Sequence, residues 1–150
     1  MKSILFVCLG NICRSPIAHG IAENYTKMIE LKVNVDSAGT GDFHIGEHPC
    51  QHSQTIADEN GLDISKQIAR QVVQADFKKF DIIVGLDDSN LVDLETLGCP
   101  TFKLKKLGDY GCDGDNIPDP YFFEGFDGFE KVYDMIEICT INLIDKEIAQ

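Results

Sequence analysis

Basic side chains are scarce in this chain. Thirteen lysines and arginines face 25 aspartates and glutamates, a formal charge of -12. So negative a molecule is not a general binder of nucleic acid or of acidic membranes, although basic or neutral protein partners suit it. Long apolar runs are missing as well: no stretch approaches the length of a membrane span, and residues 1–20 lack the apolar core of a secretion signal. There is no linker and no internal repeat, so residues 1–150 are expected to form one domain, large enough for a substantial core without staples. The six cysteines are scattered and do not read as a disulfide scaffold, which points to a reducing, cytoplasmic setting. Metal-ligand patterns are also poor. His48, Cys50 and His52 alternate around the stiff Pro49 without a fourth ligand placed by sequence. The acidic run Asp109, Asp113, Asp115 and Asp119 fails as an EF-hand, because counting from Asp109 puts Gly111 third and Pro120 twelfth. No metal is expected.

What the chain does have is concentrated near its start. The apolar run Ile4 to Cys8 is followed by Leu9-Gly10-Asn11-Ile12-Cys13-Arg14-Ser15-Pro16 and then by apolar residues at helical spacing. That layout predicts a strand, a tight loop and a helix, with Ser15 as N-cap and Pro16 in the first turn, where a missing amide costs nothing. Only five residues separate Cys8 from Arg14. A loop that short at a helix start can turn its amides inward and cradle an anion. Cys8 then lies beneath the anion, where amides, helix terminus and Arg14 favour a thiolate. The guanidinium fork of Arg14 can grip two oxygens of a tetrahedral dianion, and the chemistry favoured is phosphoryl transfer to sulfur and then to water.

The stretch from Val7 to Pro16 resembles the signature of the low-molecular-weight protein tyrosine phosphatases. Asp36-Ser37-Ala38-Gly39-Thr40, Ala69-Arg70-Gln71, Leu86-Asp87-Asp88-Ser89-Asn90-Leu91 and Asp119-Pro120-Tyr121-Phe122 resemble the same family in the same order. The resemblance implies a four-stranded parallel sheet flanked by helices and hydrolysis of phosphotyrosine in proteins, with no metal or organic cofactor. It implies a phosphate-binding loop of Cys8, Leu9, Gly10, Asn11, Ile12, Cys13, Arg14 and Ser15, supported through Asn11, Ser15 and Ser37. Ile12, Phe43, Tyr121 and Phe122 would wall the cleft, and Asp119 would be acid and then base. Partners would be phosphotyrosine-containing proteins, with inorganic phosphate as product and inhibitor, no nucleic acid and no membrane, the enzyme itself a monomer or weak homodimer. Many relatives place near Gln67 a histidine that supports the loop; Gln67 can donate a hydrogen bond but cannot charge.

The rest of the pattern agrees from its own periodicity. A helix from Pro16 to about Glu30 would carry Ile17, Ile21, Tyr25 and Met28 on one stripe; Leu31 to Asp36 alternates as an edge strand; Ser37 to Cys50 reads as a loop. A helix with Ile56 and Ala57 stops at Asn60-Gly61. Asp81 to Leu86 is a buried strand, Asp87 to Asn90 caps a helix from Leu91 to Leu97, Thr101 to Leu104 is a short strand, and a long helix runs from about Gly125 to Glu147. Four strands alternating with helices predict an open twisted four-stranded parallel α/β sheet with helices on both faces and the phosphate-binding loop after the first strand. Ligands of such sheets bind at the carboxyl ends of strands, where Cys8 sits.

Three other activities fit part of the pattern. A thiol-dependent arsenate reductase needs resolving thiols, for which Cys50, Cys99 and Cys112 are candidates by number only. A protein-arginine phosphatase tends to have threonine where Ile12 lies. A phosphoprotein-binding module has no use for Cys8 together with Asp119. On oxidation Cys8 should form a sulfenic acid that Cys13, on the same short arc, captures as a disulfide, with Cys50 or Cys112 as competitors if their loops lie near the mouth. Cys99, Cys112 and Cys139 otherwise read as inert.

Overall fold

A computed structural model describes residues 1–120 and 127–149. Its strands β1 (Lys2–Cys8), β2 (Val33–Gly39), β3 (Ile82–Gly85) and β4 (Leu104–Lys106) form a parallel sheet in the order β2-β1-β3-β4. The interior strands β1 and β3 are the two continuous apolar runs, as burial on both faces requires.

Because successive side chains point to opposite faces, β1 divides its residues between two cores. Ile4, Phe6 and Cys8 pack with Ile17 and Ile21 of α1 (Arg14–Met28) and with Val132, Ile136 and Leu143 of α5 (Asp127–Glu147). Leu5 and Val7 pack on the other side with Phe77 of α3 (Asp76–Lys79), with Phe80 just beyond it, and with Leu94 of α4 (Asp88–Thr96). The expected open sheet with helices on both faces is therefore present. The chain leaves β1 toward β2 on one side and returns to β3 on the other, so the end of β1 is a topological switch point, and Cys8 occupies it.

Several boundaries differ from expectation. The N-cap of α1 is Cys13, not Ser15; Ser15 lies inside the first turn with its hydroxyl turned toward the Cys8 sulfur. Met28 is 71% exposed, and Thr26 takes the buried place in the last turn, its hydroxyl donating to the Ala22 carbonyl at 2.8 Å. β2 continues to Gly39, which makes Ser37 a strand residue rather than a loop residue. β4 starts three residues later than read, because turn hydrogen bonds from Lys103 to Pro100 and from Leu104 to Thr101 occupy that segment and leave Phe102 77% exposed. The cap at Asp87 is present with a reciprocal bond to Asn90, although α4 itself begins at Asp88. The helix α2 (Gln51–Glu59) stops at Asn60 as expected. Of the expected last helix, Gly125 and Phe126 fall outside the described residues.

Candidate active site

One side chain ties the loop between β1 and α1 to two other segments. Asn11 has a left-handed backbone (φ 57), which asparagine adopts more readily than most residues, and is only 3% exposed. Its amide donates to Ser15 Oγ at 2.7 Å and to Ser37 Oγ at 3.0 Å, while its carbonyl accepts from the Arg70 backbone N–H at 3.1 Å. Both amide protons are thus spent on hydroxyl oxygens, which leaves each hydroxyl to donate its own proton onward. Ser15 donates to the Cys8 sulfur at 3.1 Å, where the Asn11 backbone N–H also points at 3.3 Å. Ser37 Oγ lies 3.0 Å from Nδ1 of His19, whose Nε2 lies 3.1 Å from Glu23 Oε1.

β2 makes room for this loop at Gly39, where a Cβ would stand 2.7 Å from the Leu9 carbonyl oxygen. Gly39 also pairs with the Ala69-Arg70-Gln71 segment, donating to the Arg70 carbonyl at 2.8 Å. Arg70 is fixed in turn by both oxygens of Asp76 and by Asp36. Three of the five family-like segments therefore meet at Asn11. Removing its side chain strands three partners; Asn11→Ala is expected to cost about 3 kcal/mol, at about 1 kcal/mol per hydrogen bond, measured by chemical denaturation.

Arg14 is buried in the first turn of α1. One nitrogen, Nη1, donates to Asp87 Oδ2 at 2.7 Å and to the Ile117 carbonyl at 2.9 Å. Among the described residues no hydrogen bond holds its remaining nitrogens, which can serve a bound anion. Burial acts to lower the pKa of Arg14, but the neighbouring Cys8, Asp87 and Asp119 outweigh it and the net direction is upward, so the guanidinium stays charged.

Above the sulfur lies an open cleft of about 160 Å³, lined by Cys8, Leu9, Gly10, Ile12, Cys13, Arg14, Phe43, His44 and Asp119. Phe43 is 70% exposed and stands at the cleft rather than anchoring its loop in the core. Tyr121 and Phe122, read as further walls, lie outside the described residues. Ser15 and Ser37 sit beneath the loop. The arrangement offers a sulfur nucleophile, a cation beside it and a carboxyl group on the same cleft, a set suited to displacement at a tetrahedral anion.

Other readings find their side chains elsewhere. His48 reaches the Gln67 carbonyl, His52 stacks edge-on against Phe129, and Cys50 meets Cys13, so these three do not converge on one point. Gln67 donates to the Pro16 carbonyl at 3.1 Å and does not touch Ser37; His19 does. Cys99 is buried on the α3–α4 side, and Cys112 lies 3.2 Å from Cys139, so neither lines the cleft.

Sequence reasoning missed His19, Asp87 as the Arg14 partner, and the Cys13–Cys50 contact. A signal existed only for the first: His19 follows Ser15 by four residues and shares its helix face.

A family model described as low molecular weight phosphotyrosine protein phosphatase matches residues 3–150. The chain is 41% identical to the low-molecular-weight protein-tyrosine-phosphatase YfkJ of Bacillus subtilis, over 85% of each chain. It is similar in structure to a product-state mimic of a protein tyrosine phosphatase from Entamoeba histolytica, with TM-score 0.90 and 35% identity, covering 100% of this chain and 97% of that one. It is also similar to the Drosophila arginine phosphatase, with TM-score 0.88 and 34% identity, covering 97% and 96%.

Proposed function

The chain belongs to the low-molecular-weight phosphotyrosine protein phosphatase family and is a cysteine-dependent protein-tyrosine-phosphatase, and from that premise we propose how its own residues divide the reaction. Cys8 attacks phosphorus and forms a cysteinyl phosphate. Arg14, held by Asp87 and Ile117, carries the equatorial oxygens through the transition state. Ser15 donates to the sulfur when it leaves as thiolate; Asn11 and Ser37 hold the loop. Asp119 protonates the leaving tyrosyl oxygen and then takes a proton from the water that hydrolyses the thiophosphate.

The observation that carries this reading is the meeting of Asp119, from a distant segment, with Cys8 and Arg14 of the β1–α1 loop on one cleft. Ile12 and Phe43 give that cleft apolar walls that suit a phenyl ring. The substrates are phosphorylated proteins and the product is phosphate; phosphate as inhibitor, a monomeric or weakly dimeric state, and a single domain over 1–150 belong to the proposal. So do a cytoplasmic location and the lack of nucleic-acid or membrane partners. Among the described residues no helix is long and apolar enough to cross a membrane.

A panel of phosphotyrosine, phosphoserine and phosphoarginine peptides, with arsenate reduction alongside, tests the substrate class. The phosphotyrosine peptide should turn over at least about tenfold faster than the others, the scale of discrimination an apolar pocket supplies. Preference for phosphoarginine or arsenate would replace the reading.

A further inference from the structure

The six reduced cysteines make a second sulfur–sulfur contact besides Cys112–Cys139, and this one reaches the phosphate loop. The sulfurs of Cys13 and Cys50 lie 2.9 Å apart although 37 residues separate them in sequence. Cys13 is the N-cap of α1 and Cys50 the N-cap of α2, and the Cys50 backbone N–H donates to the Ile12 carbonyl at 2.8 Å, which clamps the two caps together. The thiols are ordered by Ser53. Cys50 donates to Ser53 Oγ at 3.2 Å, and Ser53 donates to the Cys13 carbonyl at 3.1 Å, so the proton between the sulfurs comes from Cys13. Contact with Cys50 and burial push the Cys13 thiol far up. Cys13 also faces the other way, lining the cleft together with Cys8. Cys13 thus touches Cys50 and lies within electrostatic reach of Cys8.

We propose that Cys13 and Cys50 form the terminal disulfide of a three-thiol relay that removes hydroperoxide damage from Cys8 and returns it to the active thiolate without an external thiol. The inference rests on Cys8 being the nucleophile. In the first step the Cys8 thiolate attacks the hydroperoxide; the O–O bond breaks, Cys8 becomes a sulfenic acid, and water or an alcohol leaves after protonation. In the second, Cys13 attacks the Cys8 sulfur, an S–S bond forms, and hydroxide departs as water with the Cys13 proton. In the third, Cys50 releases its proton to solvent, matching the one the peroxide oxygen took up in the first step, and attacks the Cys13 sulfur; the Cys13–Cys50 bond forms, the Cys8–Cys13 bond breaks, and Cys8 leaves as thiolate. Two thiols have then lost two electrons and two protons to one peroxide.

The direction of the third step follows from the leaving group. The Cys8 sulfur faces the Ser15 hydroxyl, the Asn11 N–H and the nearby guanidinium, three groups that can meet the negative charge of a departing sulfur. The geometry helps, because a bond of about 2.05 Å asks the sulfurs to close by less than about 1 Å.

The test compares wild type, Cys50→Ser, Cys50→Ala and Cys8→Ser, each first checked for native circular dichroism. Turnover of an aryl phosphate is recorded before oxidation; wild type and both Cys50 variants should be alike, and an inactive unoxidised wild type would count against the role of Cys8, not against the relay. One molar equivalent of hydrogen peroxide is then added and removed with catalase, thiols are alkylated at intervals, and linkages are mapped by mass spectrometry without reductant. Wild type should regain most of its activity unaided, with Cys8 alkylated and Cys13 joined to Cys50. Both Cys50 variants should stop at Cys8–Cys13 with activity at least tenfold down until dithiothreitol is added. Cys8→Ser should form Cys13–Cys50 at least tenfold more slowly, because the entry point is gone. The relay is overturned if wild type comes to rest at Cys8–Cys13, if the Cys50 variants recover unaided, or if Cys8→Ser forms the Cys13–Cys50 bond as fast as wild type.

Discussion

Cys8→Ser is expected to reduce aryl phosphate turnover on the order of 1,000-fold or more, the scale on which an enzyme loses rate when its nucleophile is removed from a set that acts as a unit. Serine keeps the size class, the hydrogen bonds from Ser15 and Asn11, and the loop around them. A hydroxyl is far harder to ionise than a thiol and is the weaker nucleophile at neutral pH. Phosphate binding and thermal stability should survive, since Arg14 remains held by Asp87 and the Ile117 carbonyl. A steady-state assay beside a phosphate titration reads both. Turnover within tenfold of wild type would take the nucleophile's role away from Cys8.

Asp119→Asn is the second large effect, and its size should depend on the substrate. For phosphotyrosine the leaving oxygen is basic and needs a proton as the P–O bond breaks, so the loss should be about 100-fold or more. For an aryl phosphate whose leaving group departs readily as an anion, the first step needs little help and the loss should be much smaller. The side chain shares the cleft with the Cys8 sulfur and comes from a segment 111 positions further along the chain (119 − 8), so its placement depends on the fold as a whole. Equal losses on both substrates would make Asp119 a positioning residue.

How much of this was legible beforehand depends on distance along the chain. The strand, loop and first helix were readable because their chemistry is packed into consecutive residues from Ile4 to Pro16, and the burial of β3 showed in Ile82-Ile83-Val84. Local capping at Asp87 was readable too, but its second task was not. The carboxylate of Asp87 caps α4 with one oxygen and holds Arg14 with the other, across 73 residues, and no periodicity encodes that. The misplaced β4 has a local cause: Phe102 looks like a strand residue, yet the turn after Pro100 spends the backbone bonds and turns the ring to solvent. Ser15 looked like a cap because serine usually is one at a helix start; here its hydroxyl is needed by sulfur, and Cys13 takes the cap position without a side-chain bond. Where many relatives were expected to place a loop-supporting histidine this chain has Gln67, which donates to the Pro16 carbonyl, while His19 on α1 meets the Ser37 hydroxyl, a contact no local pattern announces.

The contrast between Asn11, 3% exposed and bonded to three segments, and Phe43, 70% exposed on the rim, separates two kinds of heritable change. Substitutions at the hub act on stability and rate together and are purged together. Substitutions at the rim alter which esters fit while costing about 0.5 kcal/mol or less, as surface changes generally do. Selection can therefore retune the clientele of this scaffold one aromatic side chain at a time, along a nearly level path, without ever reopening the question of how the bond is cut.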